Sequence, residues 1–196
     1  MCHSAADIKA PRPQKRREWV SAGGKLLRIE QGDITRVAAD AIVNAANSGL
    51  AGGGGVDGAS HRAAGPSVMA ELDAIRAKIG HCPPGSAVAT AAGRLKARYI
   101  FHAVGPVYRG GAEGEPEQLA SCYKTCLAMA AERNLASIAF PAISTGIYGY
   151  PLKEAAEIAL GEIRSFLEAA SSVEEARMVL FGDDALREFE AVLGRL

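Results

Sequence analysis

From about residue 25 onward, short apolar runs alternate with longer stretches whose apolar residues recur three and four apart. The short runs read as strands: "KLLRIE" (25–30), "AIVN" (41–44), "SAVATAA" (86–92), "RYIFHAV" (98–104), "SIAFPA" (137–142) and "ARMVLF" (176–181). The longer stretches read as helices. Val68, Leu72, Ile75 and Ile79 share one helical face, as do Leu119, Cys122, Tyr123, Cys126 and Ala130. Ile163, Phe166, Leu167 and Ala170 form a third such face, and Leu186, Phe189, Leu193 and Leu196 a fourth. Helices separate most of the strands, apart from the pair at 86–92 and 98–104. That alternation predicts a mixed, mostly parallel sheet of about six strands, covered by helices on both faces.

The first 22 residues break the pattern. They carry Lys9, Arg12, Lys15, Arg16 and Arg17, two prolines and few apolar side chains, so a mobile basic tail is expected over 1–22 and a single domain over 23–196. A length of 196 residues with 48% hydrophobic and 22% charged side chains suits one globular domain with a substantial core. Lys plus Arg and Asp plus Glu both number 22, which leaves no basic excess for a general nucleic-acid binder. No apolar stretch is long enough to span a membrane, and residues 1–20 lack a hydrophobic signal core. The four cysteines do not form a disulfide-scaffold pattern, and Cys122 and Cys126 read as small buried apolar groups on a helix. Cytoplasmic localisation is the resulting expectation.

In open α/β sheets, ligands bind beyond the carboxyl ends of the strands. Two unusual loops fall there: "NAANSGLAGGGGVDG" after the strand ending near Asn44, and "ISTGIYGYP" after the one ending near Ala142. Four consecutive glycines before a helix let an anion reach backbone N–H groups without obstruction, and the helix dipole favours its charge. A flexible linker is a poor alternative, since dense apolar sequence flanks both sides. Gly53 to Gly58 also fits G-x-G-x-x-G, but it does not directly follow the first strand of its unit, as a dinucleotide fingerprint should. Ala142-Ile-Ser144-Thr-Gly146 falls one glycine short of a nucleophile elbow, and no histidine follows His102 to complete a triad. Ser144 therefore reads as part of a phosphate loop. His3, His61, His81 and His102 show no helical ligand spacing, so neither metal nor cofactor is expected.

Four segments, "QGDIT" (31–35), "AIVNAAN" (41–47), "GGGGVDGASHRAAG" (52–65) and "AISTGIYGYP" (142–151), resemble the macrodomain family, most closely its MacroD-type branch. The resemblance runs from about Lys25 to the C-terminus. It implies a three-layer α/β/α sandwich that binds ADP-ribose and hydrolyses its esters, with O-acetyl-ADP-ribose and proteins carrying mono-ADP-ribose on acidic side chains as partners. A monomer is expected.

Carried over by position, Asp33 accepts from the adenine amino group, Ile34 packs nearby and Phe181 stacks on adenine. Asn44 and Asn47 face the distal ribose. Gly53, Gly54, Gly55 and Val56 hold the diphosphate together with Ser144, Thr145, Gly146, Ile147 and Tyr148, and Tyr148 also walls the distal ribose. Asn47 and Asp57 are the implied catalytic pair, with Asp57 orienting the attacking water and His61 hydrogen-bonding behind it. Two positions depart from the branch pattern: Ala59-Ser60, where a cysteine and a large apolar residue are common, and Gly182, where an acidic residue often stands. Taken singly, Asp33 and Asp57 fit helix caps and the asparagines fit turns equally well. A non-catalytic ADP-ribose reader stays open as the alternative function.

Overall fold

The computed structural model describes residues 17–196. Among them the chain order is β1 (Glu18–Val20), β2 (Leu26–Gln31), β3 (Ala41–Ala46), α1 (Gly55–Ala64), α2 (Pro66–Ile79), β4 (Ala87–Ala91) and β5 (Tyr99–Val104). It continues with α3 (Glu115–Glu132), β6 (Ser137–Phe140), α4 (Leu152–Glu168), β7 (Glu175–Leu180) and α5 (Asp183–Leu193). The sheet runs β1-β2-β7-β6-β3-β5-β4. Its five central strands are parallel, and β1 and β4 close the edges in antiparallel pairing.

Both faces of the sheet are covered, so alternate residues of each central strand enter separate cores. Ile42 and Ile100 pack with Val68 and Leu72 of α2 in one core. Ala41, Val43, Phe101 and Ala103 pack with residues of α3, α4 and α5 in the other. This parity matters for the site: two residues beyond Ile42 and Ile100, Asn44 and His102 fall on the α1–α2 side. The two are register partners across β3 and β5.

The architecture is the expected three-layer sandwich, but the sheet has seven strands among the described residues rather than about six. The addition is β1, inside the stretch expected as tail. Its backbone pairs Glu18 to Val20 with Arg28 to Leu26. Trp19 packs against the core beneath the Arg164 guanidinium, 5.2 Å from its ring centroid, and Arg17 pairs with Glu190 of α5 at 2.7 Å. Edge pairing and one half-buried aromatic therefore hold residues 17–22 against the domain; the rest of the expected tail, residues 1–16, lies outside the described residues. Cys122 and Cys126 are buried free thiols on α3, as the helical spacing predicts. No helix among the described residues is long and apolar enough to cross a membrane.

Candidate functional site

The carboxyl ends of β3, β6 and β7 open into a cleft with two connected halves, which share Gly55, Val56, Ala142 and Gly146 as lining. A distal half of about 280 Å³ lies between the 47–57 and 142–148 loops. A second half of about 460 Å³ reaches past Asp33 and Ile34 to Phe181.

Each glycine of the run has its own cause. Gly52 and Gly55 take left-handed backbone, at φ +76° and +55°, which side chains rarely adopt. A Cβ on Gly53 would sit 3.2 Å from Asp57 Oδ2, and one on Gly54 would project into open space. Gly54 starts α1 with no side-chain cap, so the first amides of that helix are left to face the cleft. Farther on, a Cβ on Gly58 would meet the Gly53 carbonyl oxygen at 2.4 Å, which is why the loop can fold so closely onto the helix it precedes.

The opposite wall is stitched by backbone bonds: Tyr150 N to Ser144 O, Gly149 N to Gly146 O, and Tyr108 N to Tyr148 O. Ser144 sits at φ +65° with its hydroxyl buried and unpartnered, a strained conformation of the kind that collects at binding sites. Gly105, just past β5, makes room for it, since a Cβ there would lie 2.2 Å from Ser144 Oγ. The segment before α3 that carries Tyr108 is gathered by the buried Glu115 carboxylate, which accepts from the amides of Arg109, Gly111 and Glu113.

Asp57 lies in the first turn of α1, 6% exposed, and lines the distal half. Its Oδ1 accepts from Asn44 Nδ2 at 2.6 Å and faces His61 Nε2 at 3.2 Å. Because Oδ1 is occupied from behind, Oδ2 is the oxygen turned towards the glycine loop. Asn47 donates to Gly52 O at 2.9 Å, pinning the start of that loop. His102 stands behind Asn44, fully buried, with its ring 5.9 Å from that of His61. Burial, and secondarily the neighbouring His61, push the His102 pKa down to about 3, so the ring is neutral.

At the other end, Asp33 Oδ1 accepts from the Thr35 amide and hydroxyl, which begins a single 3-10 turn at Ile34–Arg36 and holds the carboxyl below its usual range. Asp33 is thus a cap and a cleft residue at once. Ile34 is buried at the floor, while Phe181 is 83% exposed at the rim.

The structure brings together Asn47, Gly53, Gly54, Gly55, Val56, Asp57, Ser144, Gly146, Ile147 and Tyr148 in the distal half, and Asp33, Ile34, Thr145 and Phe181 in the other. Asn44 is the correction. Expected to face the ribose, it is fully buried behind Asp57 and reaches the cleft only through that carboxylate. His61 Nε2 lies 3.2 Å from Asp57 Oδ1. Sequence reasoning missed the roles of His102, of Gly105, and of Thr90, whose Oγ1 lies 2.9 Å from His102 Nε2. A lone polar residue inside the apolar run "YIFHAV" was the available signal for His102, and Gly105-Pro106 at a strand's carboxyl end was the signal for Gly105.

A sequence model described as Macro domain matches residues 43–159. The chain is 51% identical over 169 residues to a macro domain-containing protein of Listeria monocytogenes, covering 85% of this chain and 96% of that one. It is 49% identical over 167 residues to a Citrobacter rodentium protein named O-acetyl-ADP-ribose deacetylase, covering 85% and 94%. Among solved structures, it resembles an Oceanobacillus iheyensis macrodomain with ADP at TM-score 0.84 and 40% identity, covering 87% of this chain and 91% of that one. A Trypanosoma brucei macrodomain in complex with ADP-ribose is similar at TM-score 0.77 and 41% identity, covering 86% and 69%. The family model covers more than half of the chain, and relatives about 50% identical to it cover 85% of its length, so the chain belongs to the macro domain family.

Proposed function

We propose that the protein binds ADP-ribose along the cleft and hydrolyses its esters, both O-acetyl-ADP-ribose and mono-ADP-ribose carried on acidic side chains of proteins. The observation that carries this reading is the Asp57 carboxylate, held from behind by Asn44 and His61 and turned towards the distal pocket beside the glycine loop. The names of similar proteins that bind ADP or ADP-ribose, or act on O-acetyl-ADP-ribose, support it.

In this reading the adenine lies between Ile34 and Phe181, with its amino group donating to Asp33. The diphosphate rests on the uncapped start of α1 and the 144–148 loop, where side-chain-free backbone and the helix dipole favour an anion. The distal ribose then lies against Asn47 and Tyr148. A water that donates to Asp57 Oδ2 attacks the ester and passes its proton to the carboxylate as the new C–O bond forms. The ester C–O bond then breaks, and the departing oxygen leaves with its electron pair and takes a proton back, so one water yields one acid and one hydroxyl. General-base assistance of this kind contributes roughly 10²–10⁴-fold. An ester has a good leaving group, and binding at two remote sites fixes it beside the water.

Incubating the full chain with O-acetyl-ADP-ribose should release acetate and ADP-ribose in equal amounts. Tight ADP-ribose binding without acetate release would instead favour a reader module.

A further inference from the structure

The carboxylate of the distal pocket ends a chain of hydrogen bonds that runs back into the sheet, and the hydrogens along it can be assigned one by one. Thr90 Oγ1, on β4, lies 2.9 Å from Ala91 O, which only accepts, so the hydroxyl hydrogen is committed there. The remaining lone pairs of that oxygen face His102 Nε2 at 2.9 Å, so Nε2 carries the ring hydrogen. With the ring neutral, Nδ1 is bare and accepts from Asn44 Nδ2 at 3.2 Å. The same amide nitrogen gives its other hydrogen to Asp57 Oδ1.

Turning the Asn44 amide over would set its oxygen against two acceptors, the bare Nδ1 and the carboxylate. As it stands, Asn44 Oδ1 is buried without a partner. The two donor contacts alone therefore decide the orientation, and they outweigh the cost of an unsatisfied acceptor.

We propose that His102 is a positioning residue for hydrolysis: Thr90 selects its Nε2–H tautomer, the bare Nδ1 locks the Asn44 amide, and that amide fixes which oxygen of Asp57 faces the cleft. The inference rests on the reading of Asp57 given above. It assigns a task to a buried histidine that touches neither ligand nor solvent. It also explains why Asn44, two residues along β3 from the purely apolar Ile42, is a carboxamide: no other uncharged side chain of that size offers two hydrogens from one atom.

Nitrogen-correlated NMR of the imidazole rings tests the first link in the wild-type chain. A protonated Nε2 and a bare Nδ1 on His102 at neutral pH are expected, and a protonated Nδ1 would overturn the proposal. Kinetics test the rest. His102→Leu should lower kcat on O-acetyl-ADP-ribose by about 10–100-fold, the scale seen when a group that orients a metal ligand from behind is lost. ADP-ribose affinity should not change. His102→Asn, whose Oδ1 can stand where Nδ1 stood, should recover most of that loss. A purely structural role would instead lower thermal stability in both variants and leave the kcat of the folded fraction intact, which would overturn the proposal, as would an Asn variant no better than the Leu variant. The reading of Asp57 fails by a different result, namely undiminished turnover by Asp57→Ala, so the two claims fall separately.

Discussion

At the distal end of the cleft the polar groups are buried and tied to one another, from Thr90 and His102 through Asn44 to Asp57. At the end proposed for the nucleoside they are open: Phe181 is 83% exposed, and Asp33 spends one carboxylate oxygen on its own backbone turn. The difference fits what the proposed reading asks of each end. Chemistry requires a carboxylate held to a fraction of an ångström before the substrate arrives, and burial with the Asn44 and His61 contacts to Oδ1 supplies that. Recognition of a flat, aromatic base requires mainly a surface to lie on, which an exposed ring supplies as the ligand settles. Stability and turnover should therefore depend on the first end, and affinity on the second and on the loop between them.

That contrast can be broken at three points. The largest effect is expected where the halves meet. Gly54→Glu has open space for its side chain in the unliganded protein, so the fold should survive. Its carboxylate would face the diphosphate, and a like-charge contact of that kind costs on the order of several kcal/mol of affinity. Calorimetry with ADP-ribose, beside a melting curve unchanged from wild type, checks both parts. Next, Phe181→Ala should weaken ADP-ribose binding by about 1–3 kcal/mol, the usual worth of base–aromatic stacking. Being so exposed, the ring contributes little to the core, so melting temperature should hold and kcat at saturation should change little. A drop in kcat without a rise in KM would blur the proposed division.

The most gradual effect, small within any one pH unit, is expected in acid. The pKa of His102 in the folded chain, about 3, lies below its ordinary 6.5, so the unfolded chain takes up the proton first as pH falls. The stability from keeping this ring neutral is complete above 6.5 and is lost progressively towards 3, at no more than roughly 1.4 kcal/mol per pH unit. Urea unfolding between those two pH values should show a shallower slope for His102→Asn than for wild type. Equal slopes would remove the buried, neutral ring from the account.

What the sequence made legible divides along similar lines. The six strands foreseen lie within a residue or two of those observed, because parallel strands buried on both faces read as unbroken apolar runs. β1 escaped because three residues beside a basic, proline-containing stretch carry no periodicity; only its pairing partner in space defines it. Gly53 to Val56 and Ser144 to Tyr148 were legible because glycine runs and strained turns must announce themselves in residue type. Asn44 was misplaced for a physical reason. On a strand with helices on both sides, an asparagine two residues from the cleft can point into it or beneath it, and only the packing of α1 decides. His102 needed more still, since its meaning comes from the β3–β5 register that sets it beside Asn44.

The central claim is that binding and chemistry meet at Asp57 but do not share it. Measuring Asp57→Ala both ways, by acetate release from O-acetyl-ADP-ribose and by calorimetric titration with ADP-ribose, tests it most directly. The account predicts a fall in kcat of about 10²–10⁴-fold with affinity close to wild type. Turnover as fast as wild type, or affinity lost along with it, would contradict it.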